Sequence, residues 1–267
     1  MPSYVVTGAS RGLGLEFVRQ LSANKENTVF GLVRNLAGSP ALLELQKSRS
    51  NLHVLKADIL DLPALEAAAA DIAKITGGSL DYLINNAAYV DDETREISLD
   101  AFPDEKTLAE GMQKSFNVNV IGVLHTTNTF LPLLKKGSVK KVVSLSTGLA
   151  DLEFTRASGS AVHVPYSVSK AALNMVVVKY GARFKDEGFT FLAISPGLVN
   201  TSLRPPTPEE LVGIKQMVTQ FMSAAPGWNG QPITPEVSVK HMLDTIRKTT
   251  VADTGAFISH FGNKQWL

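Results

Sequence analysis

Short apolar runs rich in β-branched residues alternate with longer segments of helical periodicity along the whole 267-residue chain. Several runs, such as Phe189–Ile194, are apolar at nearly every position, which is typical of strands buried on both faces of a parallel sheet. The alternation therefore predicts an α/β fold with a central parallel sheet of about seven strands and helices on both faces. The predicted strands are residues 3–7, 28–33, 52–57, 81–85, 139–146, 189–194 and 255–259. The predicted helices are residues 12–23, 40–48, 62–76, 105–134, 165–187, 208–223 and 235–249.

The chain length fits one domain, since single α/β domains commonly reach this size. No internal repeat or low-complexity linker divides residues 1–267, and we expect a single domain. The most irregular stretch is 200–235, in which six prolines surround a short amphipathic segment. We interpret this stretch as a lid over a binding cleft, with a surface excursion as the alternative.

The composition excludes several classes of function. There is no cysteine, which rules out disulfides, thiolate metal sites and a catalytic thiol, and the five histidines lack metal-ligand spacing. A net charge of +1 gives no reason to expect a nucleic-acid or anionic-membrane partner. With no signal-peptide pattern and no apolar run near the ~20 residues of a membrane span, we expect a cytoplasmic enzyme of small molecules.

A glycine-rich turn follows the first predicted strand and precedes the first predicted helix. Its sequence is Thr7-Gly8-Ala9-Ser10-Arg11-Gly12-Leu13-Gly14. A strand, such a turn and a helix in this order bring backbone N–H groups and a helix N-terminus to where a pyrophosphate can bind. A glycine trio alone is weak support, but this context predicts a nucleotide site.

The turn resembles the Thr-Gly-x-x-x-Gly-x-Gly motif of the short-chain dehydrogenase/reductase family. Further family motifs follow in order: Asn85-Asn86-Ala87-Ala88, Tyr166-Ser167-Val168-Ser169-Lys170 and Pro196-Gly197-Leu198-Val199-Asn200-Thr201. The resemblance implies a doubly wound Rossmann-type domain, an NADP(H)-dependent oxidoreductase and a small-molecule carbonyl substrate, with a homo-oligomer possible. The cofactor-binding residues that it implies are Thr7, Gly8, Ser10, Arg11, Gly12, Leu13, Gly14, Arg34, Asp58, Ile59, Asn85, Ala87, Tyr166, Lys170, Pro196, Gly197, Val199 and Thr201.

The preference for NADP(H) rests on two arginines. Arg34 ends the second predicted strand, where members that prefer NAD usually carry an acid, and Arg11 lies in the glycine turn. The planar guanidinium can bind a 2′-phosphate in bidentate fashion. The alternative is that both are ordinary solvated arginines.

Tyr166 and Lys170 are four residues apart in a helical pattern, so their side chains emerge on one helix face. A phenol with an ordinary pKa near ~10 is a poor proton shuttle, and a neighbouring ammonium lowers that pKa. We therefore expect Tyr166 to exchange the proton while the nicotinamide exchanges the hydride.

The family also supplies a catalytic hydroxyl at the end of the preceding strand. Ser146 is the residue of the usual type, while Thr147 takes the second position of the usual Ser-Ser pair, and both remain candidates. Asn119 matches the family asparagine that orders a water beside the lysine; its alternative is a structural role.

One departure concerns the interval of 20 positions between Ser146 and Tyr166, which is longer than usual in the family. We expect the extra residues, 151–164, to form a loop that shapes the substrate pocket. Carbonyl reductases with long intervals here, some of them in secondary metabolism, look like the nearest relatives. We expect Trp266, near the C-terminus, to pack on a neighbouring surface.

The leading hypothesis is an NADPH-dependent carbonyl reductase. The alternatives are an alcohol dehydrogenase running the reverse reaction and an NADP(H)-binding scaffold or cyclisation catalyst without redox turnover. The sequence fixes neither the substrate nor the direction of reaction.

Overall fold

The computed structural model describes residues 1–202 and 204–267, so that Leu203, within the predicted lid, lies outside the described residues. Seven strands form one parallel sheet in the order β3-β2-β1-β4-β5-β6-β7. The strands are β1 (Ser3–Thr7), β2 (Thr28–Val33), β3 (Leu52–Lys56), β4 (Tyr82–Asn85), β5 (Lys141–Leu145), β6 (Thr190–Ser195) and β7 (Ala256–Ser259). The sheet predicted from the alternating pattern is confirmed.

Helices connect the strands and cover both faces of the sheet. They are α1 (Gly12–Ala23), α2 (Pro40–Lys47), α3 (Leu62–Thr76), α4 (Glu105–Phe116), α5 (Gly122–Leu134), α6 (Leu152–Ser158), α7 (Val164–Phe184), α8 (Pro208–Ala224) and α9 (Pro235–Lys248). None of the helices in the described ranges combines the length and the apolar character needed to cross a bilayer.

Two hydrophobic cores hold the three layers together. On one face, Phe17 of α1 and Met242 of α9 are fully buried against the sheet. On the other face, Ile72 of α3, Phe130 of α5 and Phe191 of β6 are buried against the sheet. Because apolar side chains leave both faces of the central strands, those strands carry the nearly continuous apolar runs seen in the sequence.

Two predicted elements differ from the structure. The helix predicted over 105–134 is divided by a π-helical turn, Asn117–Ile121, between α4 and α5. The segment 151–164, predicted as a loop, contains the short helix α6. Asp151 caps this helix by accepting a hydrogen bond from the Phe154 N–H at 2.9 Å, and Gly159 ends it with a φ of +64°. A local cap and stop were thus present in the sequence, but seven residues are too few for a clear helical period.

Candidate active site

The predicted site residues gather at the carboxyl ends of the strands. The strand order reverses between β1 and β4, so the connections that leave these two strands run to opposite faces of the sheet. In open α/β sheets a crevice forms at such a point, and ligands bind there. The glycine turn follows β1, and Asn86 and Ala87 follow Asn85, the last residue of β4, which places both segments at this crevice.

The glycine turn has no room for side chains. Gly8 and Gly12 have φ angles of +66° and +56°, which favour glycine. A Cβ atom at Gly8 would lie 2.8 Å from the Cα of Ala87, and one at Gly14 would collide with the carbonyl oxygen of Gly8. The turn therefore brings bare backbone to the N-terminus of α1, where no side-chain cap and no first-turn acid occupies the N–H groups of this helix. Such an N-terminus favours an anion.

Thr7 and Asn86 connect the glycine turn to the end of β4. The Thr7 hydroxyl accepts hydrogen bonds from the N–H groups of Asn86 and Ala87, both at 3.0 Å. The Asn86 amide donates to the carbonyl oxygens of Thr7 at 2.9 Å and Gly8 at 3.2 Å. These four bonds fix the turn against the neighbouring strand.

The other residues predicted to bind the nucleotide around this turn differ in solvent exposure. Arg11 and Arg34 are exposed, and neither forms an ion pair with any residue whose side chain the structure describes. Ser10 and Leu13 are half-buried. Asp58 is half-buried and accepts a hydrogen bond from the Leu60 N–H at 3.0 Å. Ile59 is buried and packs on Gly122. A Cβ built on Gly122 would lie 2.6 Å from the Cδ1 atom of Ile59.

Asn85 turns its side chain into the protein. Its amide donates to the Thr127 hydroxyl at 3.1 Å and lies 3.5 Å from the Ser144 hydroxyl, while only 2% of the residue is exposed. The side chain therefore ties β4 to α5 and β5.

The turn after β6 borders the crevice from the other side. Gly197 has a φ of +83°, and a Cβ on it would lie 2.7 Å from the imidazole of the buried His260. The Pro196 carbonyl accepts a hydrogen bond from the Ser238 hydroxyl at 2.7 Å. Burial lowers the pKa of His260 to about 4, so a neutral imidazole supports this turn at neutral pH.

Beyond this turn, the two ends of the predicted lid segment meet. Val199 forms a parallel bridge with Ile233, and the Asn200 N–H donates to the Ile233 carbonyl at 3.0 Å. Thr201 reaches the glycine turn, because a Cβ on Gly12 would lie 3.7 Å from the Thr201 methyl group. The segment carrying α8 is thus anchored at its base beside the nucleotide candidates.

Tyr166 and Lys170 lie one turn apart on α7, and the Lys170 Nζ is 5.8 Å from the centre of the Tyr166 ring. Lys170 is 1% exposed and donates a hydrogen bond of 2.6 Å to the carbonyl of Leu145, the last residue of β5. Burial lowers the pKa of Lys170 to about 7 and raises the pKa of Tyr166 to about 12. Burial disfavours the charged form of each group, so in the protein alone both side chains tend towards neutrality.

The two candidate hydroxyls at the end of β5 have different partners. The Ser146 hydroxyl is buried and donates its proton to the Asn174 Oδ1 at 2.7 Å. Thr147 is half-buried, and its hydroxyl accepts from the Leu149 N–H at 3.3 Å. Because a hydroxyl has a single proton, Ser146 has committed its own to Asn174, whereas Thr147 can still donate.

Asn119 lies in the π-helical turn, fully buried. Its amide accepts from the Tyr89 N–H at 2.8 Å and donates to the Tyr89 carbonyl and to the Ser169 hydroxyl, both at 2.9 Å. Ser169 precedes Lys170, so Asn119 joins the segment after β4 to the helix that carries both catalytic candidates.

An aromatic cluster joins α6, α8 and the C-terminal residues. Phe154 of α6 lies 5.3 Å from Phe221 of α8 between ring centres, and Trp266 stacks on Phe257 at 4.4 Å. Trp266 is 5% exposed, which confirms that it packs on a neighbouring surface.

Sequence reasoning assigned no role to Asn86, Asn174, Ser169 or His260. Asn86 stands within a family motif, and Asn174 continues the helix face of Tyr166 and Lys170 at a spacing of four residues. Ser169 likewise stands within the quoted motif Tyr166–Lys170, whereas no comparable signal marked His260, whose contacts connect distant segments. Among residues 1–202 and 204–267, no group of three or more His, Asp or Glu side chains could hold a metal ion.

The fold and the site together define an oxidoreductase of the doubly wound, nucleotide-binding class. The profile of the family described as short chain dehydrogenase matches residues 3–211. The chain therefore belongs to the short-chain dehydrogenase family.

Relatives and solved structures extend this comparison over the whole chain. The chain is 44% identical to the short chain dehydrogenase virK of Hypocrea virens, with all of both chains covered. It is 43% identical to the short-chain dehydrogenase/reductase AacuF of Aspergillus aculeatus, again over all of both. Its fold is similar to a carbonyl reductase from chicken fatty liver, solved with NADPH bound, with a TM-score of 0.79, 26% identity and 98% of each chain covered.

Proposed function

We propose that this protein is an NADPH-dependent carbonyl reductase in which Tyr166 donates the proton. One observation carries the proposal: Lys170, on the same helix face as Tyr166, donates to the Leu145 carbonyl at the end of β5, two residues before Thr147. The glycine turn, which has no room for side chains, follows β1 at the same edge of the parallel sheet. The chicken carbonyl reductase with NADPH bound supports the same activity.

The residues around the glycine turn fit NADPH. The backbone of Gly8, Gly12 and Gly14, with the uncapped N-terminus of α1, suits the pyrophosphate. Two exposed guanidinium groups, Arg11 and Arg34, suit the 2′-phosphate. We assign the further contacts to Thr7, Ser10, Leu13, Asp58, Ile59, Asn85, Ala87, Pro196, Gly197, Val199 and Thr201, with Thr7, Asn85 and Ile59 acting through backbone and packing.

When bound, NADPH supplies a hydride to the carbonyl carbon. Tyr166 donates its phenolic proton to the carbonyl oxygen, so one C–H and one O–H bond form while the C=O double bond becomes a single bond. The Thr147 hydroxyl donates a hydrogen bond to the same oxygen and stabilises its developing negative charge. Ser146 instead ties the strand end to Asn174.

Lys170 stabilises the phenolate that remains after proton donation. Its ammonium lies on the same helix face as Tyr166 and favours the charged form of the phenol. The carbonyl of Leu145 holds the ammonium in place. Asn119 fixes Ser169, the neighbour of Lys170, and is therefore a positioning residue for the lysine.

Burial raises the pKa of Tyr166 to about 12, which keeps the phenol protonated in the protein alone. A protonated tyrosine can donate the proton that reduction requires, whereas alcohol oxidation needs a phenolate as the base. An enzyme accelerates both directions of its reaction, so the supply of NADPH and NADP sets the net direction.

We further propose that the chain works as one domain, with α6 and the segment carrying α8 forming the substrate side of the cleft. The exposed apolar residues of α8, such as Leu211 and Ile214, favour a substrate larger than a short alcohol. A homo-oligomer remains a prediction, and the apolar Met175 and Val178, exposed on α7, would support it.

The test is Tyr166→Phe, assayed by NADPH absorbance with a carbonyl compound that the unmodified protein reduces. We expect turnover to fall by about two to four orders of magnitude, since proton donation is lost, while NADPH still binds. Thr147→Ala should fall by a similar factor, and Ser146→Ala should lose much less. Full turnover of Tyr166→Phe would refute the mechanism.

A further inference from the structure

The C-terminal residues Asn263–Leu267, here called the tail, pack against the segment that carries Thr147. Trp266 is the central contact, because its Cβ atom would lie 2.8 Å from a Cβ built on Gly148. Gly148 directly follows Thr147 and is buried. The Cβ and Cγ atoms of Trp266 therefore leave space for glycine alone at the position next to the hydroxyl.

Lys264 makes a second contact with the same segment. Its Nζ lies 3.6 Å from the Asp151 carboxylate, and Asp151 in turn caps α6 through the Phe154 N–H. The ammonium also lies 4.9 Å above the ring of Phe257 and 5.0 Å from that of Trp266. Trp266 and Lys264 thus hold the two ends of the segment Gly148–Asp151.

The tail is itself fixed to the sheet. The Ser259 N–H, at the end of β7, donates to the Asn263 carbonyl at 2.7 Å, and the Ser259 hydroxyl donates to the Asn263 side chain at 3.0 Å. Trp266 stacks on Phe257 of the same strand at 4.4 Å. The tail therefore connects β7, at the edge of the sheet, with the segment that follows β5.

The orientation of the Thr147 hydroxyl depends on this segment. Its oxygen accepts from the Leu149 N–H at 3.3 Å, and the Thr147 carbonyl accepts from the Ala150 N–H at 3.0 Å. Both donors belong to the 3₁₀ turn Gly148–Ala150, against which Trp266 packs. A shift of that turn would rotate the hydroxyl away from the substrate oxygen.

We propose that the tail is a positioning element of the active site, in which Trp266 and Lys264 hold the Thr147 hydroxyl towards the carbonyl oxygen. The inference rests on the proposed role of Thr147. Misplacing a catalytic group by about 1 Å can cost up to about a hundredfold in rate. Loss of the indole should therefore reduce kcat, while the affinity for NADPH should stay unchanged, because the tail contacts described above involve no residue of the glycine turn.

The experiment compares kcat, KM for an accepted carbonyl compound and the NADPH dissociation constant in Trp266→Ala, Trp266→Phe and Phe184→Leu. We expect Trp266→Ala to lose about tenfold or more in kcat with an unchanged NADPH constant. Trp266→Phe, which keeps an aromatic ring on Gly148, should recover most of that loss. Phe184→Leu, which changes a buried aromatic side chain that packs on Phe189 and Phe191, should retain normal kcat.

A double-mutant cycle tests the contact itself. Gly148→Ala places a methyl group 2.8 Å from the Trp266 Cβ and should lower kcat, whereas Gly148→Ala combined with Trp266→Gly, which removes that Cβ, should be more active than the sum of the two single losses predicts. Additive losses would overturn the proposed contact. Lys264→Met, a substitution of a mostly exposed side chain, provides a variant that should fold normally and lower kcat by a smaller factor.

Thr147→Ala separates the two proposals. If Thr147→Ala loses turnover while Trp266→Ala and Lys264→Met keep normal kcat, the role of the tail is refuted and the proposed function stands. If Thr147→Ala keeps full turnover, the proposed role of Thr147 is refuted, and the role of the tail, which depends on it, is refuted as well. If Trp266→Ala weakens NADPH binding as strongly as it lowers kcat, the tail acts on the whole fold, and the specific positioning role is refuted.

Discussion

The proposed nucleotide end and the proposed substrate end of the cleft are built by different means. The nucleotide end consists mainly of main-chain atoms. The side chains of Thr7 and Asn86 fix them through four hydrogen bonds between the segments that end β1 and β4. The substrate end is an aromatic cluster in which α6, α8 and the tail meet through Phe154, Phe221 and Trp266. A bare backbone tolerates almost no substitution, whereas apolar side chains can be exchanged for others of similar volume.

This difference suggests how one fold serves many substrates. The hydrogen-bonded backbone of the nucleotide end fixes the distances that a shared cofactor requires. The aromatic cluster of the substrate end sets the shape of the substrate pocket. Changes at the nucleotide end should therefore cost folding and cofactor binding, and changes at the substrate end should alter substrate constants.

The largest expected effect is that of Gly14→Ala. The added Cβ would collide with the Gly8 carbonyl oxygen, and we expect a loss of about 3 kcal/mol or more in the free energy of unfolding, with weaker NADPH binding. Urea unfolding measures the loss. Gly159→Ala is the matched control, because Gly159 has a φ of +64° but open space around it. Its cost should be only the strain of about 1–2 kcal/mol, and equal losses in the two variants would contradict the close packing of the turn.

We expect an effect of intermediate size from pH on the affinity for NADPH, because Lys170 changes its protonation state. Burial lowers its pKa to about 7 in the free protein, whereas ribose hydroxyls and the negative charge of NADPH should restore the ammonium. Binding should then take up a proton above pH 7, so that affinity is greatest below pH 7 and falls by up to about tenfold per unit of pH above it. Calorimetry in buffers of different ionisation enthalpy measures the uptake. The uptake should vanish in Lys170→Met, and its persistence there would assign the proton to another group.

The smallest effect is that of Phe154→Leu at the substrate end. Leucine fills much of the same space, so the free energy of unfolding should fall by about 1 kcal/mol. We expect KM for the carbonyl substrate to change while the NADPH dissociation constant stays constant. Phe184→Leu is the matched control, since Phe184 is also buried but packs on Phe189 and Phe191, away from the cleft. A change in the NADPH constant with Phe154→Leu would show that the two ends are coupled.

Local pattern determined most of the fold and the outline of the site. Strand boundaries agree with the predicted ones within two residues, because buried parallel strands are apolar in consecutive positions. The glycine turn and the pair Tyr166 and Lys170 were equally visible, since a tight turn and a helix face are set by residues near one another in sequence.

Tertiary structure decided the features that depend on distant partners. The π-helical turn places Asn119 against Tyr89 and Ser169, and no short window of sequence contains these partners. Ser146 and Thr147 are neighbours with similar hydroxyls, and only the position of Asn174 on α7 commits the proton of one and leaves the other free. The sequence by itself thus determined which strands form the sheet and which residue types gather at its edge. Hydrogen bonds and packing between distant segments decided which of those residues face the cleft.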